Sequence, residues 1–142
     1  MMSKSSKPSK QRLQSNSAPA HTKRKRMRAR CLDPTWGNVR SVTVRVGDIV
    51  SVRRGDWGNP GHDKDEGGKR HGGKRGKFGV EGRVLRVDAK SGTLYVEGVS
   101  HAKSDGKEEG VPIHPSNVVV TKLDEGDPIR LKKLQERIGG DE

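Results

Sequence analysis

The sequence predicts a mainly β fold: a small barrel of four or five short strands, flanked by a basic N-terminal arm and a short C-terminal helix. Three observations lead there. All 15 valines of the 142 residues fall between Val39 and Val120, and valine, branched at Cβ, favours the pleated, half-buried surface of a strand. Within that span apolar residues recur at every second position, the period of a strand with one buried face. Leu, Ile, Val and Phe together supply only 27 of the 142 residues, close to the compositional border of disorder. A large core is therefore excluded, whereas a barrel hides its edges by closing and needs few large side chains to fill it.

The charge decides the partner class. Thirty Lys and Arg against 18 Asp and Glu leave a net charge of +12. Such a balance bears on partners rather than on fold, and the expected partner is the phosphate of nucleic acid. An anionic membrane surface would require an amphipathic helix with a broad apolar face, and the basic segments have almost no apolar residues. No run approaches the ~20 apolar residues of a membrane span. The Ser/Lys-rich start lacks the apolar stretch of a signal peptide. Cys31, the single cysteine, forbids an internal disulfide and fits a reducing compartment.

Taken in order, residues 1–38 form the basic arm. Its first 32 residues hold ten Lys or Arg and no acid, so the free arm is expected to be disordered and to become compact only against a polyanion. Residues 39–123 form the barrel. Val42-Thr43-Val44-Arg45-Val46 alternates as a strand, Gly47-Asp48 is a turn, and Ile49 to Val52 is a second strand with Val50 and Val52 inward. Residues 58–77 contain seven glycines and no apolar side chain, which makes 57–77 a long loop insertion. Val80 to Val87 is a third strand and Thr93 to Glu97 a fourth. Lys103 to Gly110 is polar and turn-like, and Val118-Val119-Val120 is the last strand. Residues 124–142 carry the helix: Asp127 caps it, Pro128 takes the first helical position, Leu131, Leu134 and Ile138 form one narrow stripe, and Gly139-Gly140 ends it. At about three turns it must dock on something to persist.

The segment from Gly47-Asp48 through Val50, Val52 and Gly55-Asp56 to Gly79-Val80-Glu81-Gly82-Arg83-Val84 resembles the KOW motif of SH3-like barrels that bind RNA. The basic stretch Pro8 to Arg12, Ala18-Pro19-Ala20-His21 and Met27 is similar to the N-terminal extension of one large-subunit ribosomal protein family, numbered twenty-four in bacteria and archaea and twenty-six in the eukaryotic cytosol. Val96-Glu97-Gly98-Val99, then Val111 to Val118 with Thr121-Lys122-Leu123, and the helix Arg130 to Arg137 resemble the archaeal and eukaryotic branch. The resemblance implies a structural, non-enzymatic protein of the cytoplasmic ribosome. It implies binding to the 5′ domain of large-subunit rRNA near the polypeptide exit, neighbouring ribosomal proteins as further partners, and a role in early subunit assembly. The insertion at 57–77 departs from the family pattern, in which the Gly-Asp turn leads within a few residues into Gly-x-x-Gly. Its end, residues 69–77, holds five cations and no acid, as an added RNA-contacting finger would, while acidic Asp63 to Glu66 suits a part outside the RNA; a tolerated lengthening of the loop is the alternative reading.

The residues expected to meet RNA follow from charge and from the resemblance. In the arm they are Lys10, Arg12, His21, Lys23, Arg24, Lys25, Arg26, Arg28 and Arg30. In the barrel loops they are Arg53, Arg54 and Trp57, and in the insertion Lys69, Arg70, Lys74, Arg75 and Lys77. Arg83 lies in the KOW-like strand, and His114, Ser116 and Asn117 lie in the matched signature. Arginine offers a bidentate fork to phosphate and lysine a point charge. Trp57 opens a polar loop, where it either stacks on an unpaired base or caps the open barrel end. Tyr95 suits the core or rim, and Phe78 the base of the loop.

Other patterns carry no chemistry. Gly68 to Arg75 has the spacing of a nucleotide-binding loop, but Arg75 stands where Ser or Thr would hold magnesium, and neither strand nor helix flanks it. His62, His71, His101, His114 and Cys31 lack metal-ligand spacing, so no metal and no cofactor is expected. Arg54-Gly55-Asp56 is a turn. Cys31 lies among arginines, which lower a thiol pKa, yet it has no partner base and is expected to be inert. No catalytic triad or small-molecule site is legible. The alternative function is a transcription-elongation regulator carrying a KOW barrel, whose known relatives add an α/β domain that has no room here.

Overall fold

In the computed structural model, described for residues 5–54, 57 and 80–139, six strands form one sheet around a single core. Two helices come first, α1 (Pro8–Ser17) and α2 (Ala20–Arg26). Then follow β1 (Arg28–Cys31), β2 (Ser41–Thr43), β3 (Ile49–Val52), β4 (Glu81–Asp88) and β5 (Thr93–Val96). A hairpin of β6 (Ser100–Ala102) and β7 (Glu108–Gly110) precedes β8 (Val118–Lys122) and α3 (Pro128–Gly139). The sheet order is β2-β1-β8-β3-β4-β5. All its pairs are antiparallel except β1 with β8. The result is the small SH3-like, barrel-type architecture that the valine pattern predicts.

The core is built from that pattern. Val42, Val44, Val50, Val52, Val84, Val96, Val118 and Val120 are buried with Leu94, Val99 and Leu123. Leu94 and Ile113 exchange backbone hydrogen bonds of 2.7 and 2.8 Å, which ties β5 to the segment before β8. Gly47 adopts a φ of 98°, a left-handed conformation that glycine tolerates without strain. Gly82 serves a close approach instead, because a Cβ there would run into the carbonyl oxygen of Glu97 on the neighbouring strand.

Four expectations are revised. The arm, expected to lack regular structure, contains α1 and α2. Neither has a buried residue, so no packed apolar face holds them, and side-chain hydrogen bonds between the two add to local propensity. Lys, Arg, Gln and Leu are good helix formers, and Pro8 opens α1 where its missing N–H is harmless. The sheet also begins before residue 39: β1 lies within the stretch assigned to the arm, with Ala29 and Cys31 inward and Arg28 and Arg30 outward. The first valine strand ends at Thr43, and Val46 stands exposed in the turn. The polar 103–110 stretch, exposed throughout, forms the tip and second strand of a hairpin.

α3 follows its sequence signals. The Asp127 carboxylate accepts the N–H of Ile129 at 3.0 Å, as an N-cap should. Leu134 is buried, with Leu131 and Ile138 packed on the core. What the stripe did not reveal is Arg130, buried beside Leu134 and paired with the fully buried Asp48.

Candidate nucleic-acid interface

Strand register brings together residues that lie far apart in sequence. β8 pairs with β3 through Val118 and Val52, and with β1 through Val119 and Arg30. The residues just beyond those pairs share one end of the sheet. The N–H groups of Arg53 and Arg54 both donate to the carbonyl of Asn117, at 2.8 and 3.3 Å. Arg28, two residues before Arg30 on the parallel neighbour, starts β1 at the level of Asn117. The four positions Arg28, Arg53, Arg54 and Asn117 thus form one rim, with the three arginines exposed.

The turn beside this rim is stiff. Pro115–Asn117 is one turn of 3-10 helix with Pro115 buried. The Nδ1 of His114 accepts the N–H of Ser116 at 3.2 Å and lies 2.7 Å from its hydroxyl. In the neutral ring those contacts assign the proton to Nε2, leaving an exposed N–H donor on the imidazole. Cations, an imidazole donor, a hydroxyl and an amide are what phosphate and ribose recognition requires.

Trp57 and Val80 are the described residues that border the insertion. Trp57 is half-buried and packs on the core, as the barrel-capping reading requires. The carbonyl of Val80 accepts the N–H of Val52 at 2.9 Å, one residue from Arg53. Lys69, Arg70, Lys74, Arg75, Lys77 and Phe78 lie outside the described residues.

The arm enters from α2. Lys23, Arg24, Lys25 and Arg26 occupy its last turn, where cations interact favourably with the helix dipole, and buried Met27 anchors the chain immediately afterwards. Lys23 donates to the carbonyl of Asn16 at 2.9 Å, and Arg26 to the Ser15 hydroxyl at 3.3 Å. α1, with Lys10 and Arg12, and α2, with His21, are therefore joined as a pair. Arg30 faces outward along β1. Arg83 stands apart from the rim: it pairs with Ile49, four residues and about 13 Å along β3 from Arg53. Sequence reasoning missed Arg40 and Arg137, which join Arg28 around an open pocket. No local signal marked them, because only the docking of α3 against the sheet brings Arg137 to Arg28 and Arg40.

Cys31 corrects another expectation. Burial pushes its thiol up and outweighs the lowering effects, among them the Asp33 backbone hydrogen bond and the charge of Arg130. The neighbouring arginines of the sequence point outward, so they do not activate it. At Asp127, burial pushes the carboxyl up, but hydrogen bonds from Arg45 and from the N–H groups of Ile129 and Arg130 hold it below the ordinary range.

A family model describing the eukaryotic L26 and archaeal L24 ribosomal proteins matches residues 5–137. The large ribosomal subunit protein uL24 of Methanocella arvoryzae is 39% identical over 140 residues, covering 96% of each chain. That of Korarchaeum cryptofilum is 40% identical over 142 residues, 98% of this chain and 92% of the relative. That of Saccharolobus solfataricus is 36% identical over 131 residues, 91% and 93% of the two chains.

Proposed function

The chain belongs to the family of eukaryotic L26 and archaeal L24 ribosomal proteins, and from that membership we propose that it binds large-subunit rRNA. It does so as a structural constituent of the cytoplasmic ribosome, not as an enzyme. It meets the 5′ domain of the rRNA near the polypeptide exit, beside neighbouring ribosomal proteins, and supports early assembly of the subunit. The observation that carries this reading is the rim: Arg53 and Arg54 held on the Asn117 carbonyl, with Arg28 at the same end of the sheet. The family match across residues 5–137 favours it over a transcription-elongation regulator.

The mechanism is charge replacement on a rigid frame. Each Lys or Arg set against a phosphate releases condensed counterions. The sheet fixes the rim arginines, so less freedom is lost when their forks close on phosphate. His114, Ser116 and Asn117 add hydrogen bonds that set position. The arm adds Lys10, Arg12, His21, Lys23 to Arg26 and Arg30, and the insertion adds its five cations. Trp57 and Arg83 act at the margins of the contact.

A salt titration of rRNA binding tests the reading. Because β1 is a sheet strand, the arm is best removed at residue 26, which takes away eight Lys and Arg and leaves the core intact. The truncated protein is expected to bind more weakly, with a flatter dependence of log K on log salt. An unchanged slope refutes the role of the arm, and full-length protein that fails to stay with large subunits through a high-salt wash refutes the function.

A further inference from the structure

We propose that Arg28, Arg40 and Arg137 form a second, built phosphate site that grips one phosphodiester of the RNA backbone; it rests on the rRNA-binding reading above. The three arginines line an open pocket of about 360 Å³ together with Asn38, Val39 and Ser41. No acid lines it. Among the described residues none of the three arginines has a carboxylate partner. Arg28 donates from Nη2 to the carbonyl of Ser41 at 3.2 Å, which holds its fork at the pocket wall.

Three like charges around one concavity repel each other. The arrangement becomes favourable when an anion enters, and planar arginine forks match the oxygens of a phosphate bidentately. The wide mouth of the pocket suits a chain that passes through rather than a ligand that is enclosed. Exposed Arg40 and exposed Arg137 come from elements with no sequence proximity, so the site exists only in the folded molecule.

The helix that completes the pocket is positioned by the buried ion pair. Arg130 donates from Nη2 to the carbonyl of Thr43 at 2.9 Å, as well as to Asp48. Arg137 follows seven residues later, about 10.5 Å along α3. Ser41 at the start of β2 and Arg40 just before it lie two and three residues back from Thr43, about 7–10 Å. α3 thus runs along β2, and clamping Arg130 at one end delivers Arg137 to the pocket at the other.

Phenylglyoxal modification mapped by mass spectrometry tests the site on the full chain, alone, with inorganic phosphate, and with a large-subunit rRNA fragment. Bound rRNA is expected to protect Arg40 and Arg137 together with Arg53 and Arg54, and inorganic phosphate at the same phosphate concentration to protect them far less. Protection of Arg53 and Arg54 alone overturns the pocket and leaves the rRNA reading standing. Protection of none of the four overturns both. Protection of Arg40 and Arg137 by inorganic phosphate but not by rRNA overturns the RNA assignment. As a second measurement, the pair Arg40→Ser and Arg137→Ser should weaken rRNA binding about tenfold or more. The charge-matched pair Lys132→Ser and Lys133→Ser, both exposed on α3, should weaken it much less. Equal losses from the two pairs mean that only net charge matters, and the site falls.

Discussion

Arg130 and Asp48, 82 residues apart in sequence, form a bidentate ion pair sealed from solvent, with Nη1 on Oδ1 at 2.6 Å and Nη2 on Oδ2 at 2.7 Å. The remaining acceptor capacity of the carboxylate is used too. Oδ1 accepts the N–H of Asp124 at 2.9 Å, and Oδ2 the N–H of Arg45 at 3.0 Å. One aspartate in the turn before β3 therefore gathers that turn, the loop after β8 and the C-terminal helix. A buried pair need not stabilise more than an apolar pair would, but losing one partner strands the other charge away from water.

Arg130→Met leaves the Asp48 carboxylate buried without its counterion. Its unfolding free energy in urea is expected to fall by about 3–5 kcal/mol. A loss under about 1 kcal/mol would show that α3 docks through Leu131, Leu134 and Ile138 alone. Lys132→Met, on the exposed side of the helix, is expected to change stability by less than about 0.5 kcal/mol.

Gly82→Ala sets a methyl against the Glu97 carbonyl, which is backbone and cannot swing aside. The variant is expected to lose about 1–3 kcal/mol through forced separation of β4 and β5. Amide exchange should quicken first at Glu97, whose N–H donates to the Arg83 carbonyl at 2.9 Å. Wild-type exchange at that amide would contradict the close approach.

Asp127 gives a pH signature. Its folded carboxyl lies below its ordinary value of 3.8 because the hydrogen bonds from Arg45 and the helix N–H groups outweigh burial. A depressed carboxyl contributes stability above its unfolded pKa and loses it as the pH falls through the folded value. The wild-type advantage over Asp127→Asn is thus expected at pH 7, shrinking as the pH drops below about 4. An advantage that grows in acid would reverse the assignment.

Cys31 is buried with its thiol pushed up, so iodoacetamide at pH 8 should alkylate the native protein far more slowly than the urea-unfolded chain. Equal rates would mean that β1 opens readily from the sheet.

Position on the sheet separates arginines of equal charge. Arg53→Ser is expected to weaken rRNA binding more than Arg83→Ser, because only Arg53 belongs to the rim around Asn117. Equal effects would favour a diffuse electrostatic contact over an organised one.

Much of this molecule is legible in local pattern. The valines marked the barrel, the runs bounded by turn signals marked β3, β4, β5 and β8, and Asp127-Pro128 with the leucine stripe marked α3. The net charge pointed to a polyanion. These signals work because burial on one face imposes a period on the residues of that same element. β1 escaped because its outward positions are Arg28 and Arg30 and its inward ones only Ala29 and Cys31, too small to outweigh the charge. The pairing of Asp48 with Arg130, the meeting of Arg53 with Asn117, and the gathering of Arg28, Arg40 and Arg137 had no sequence signature. Each joins side chains or backbone groups from elements whose separation along the chain is arbitrary, and only strand register and helix docking set the distances between them.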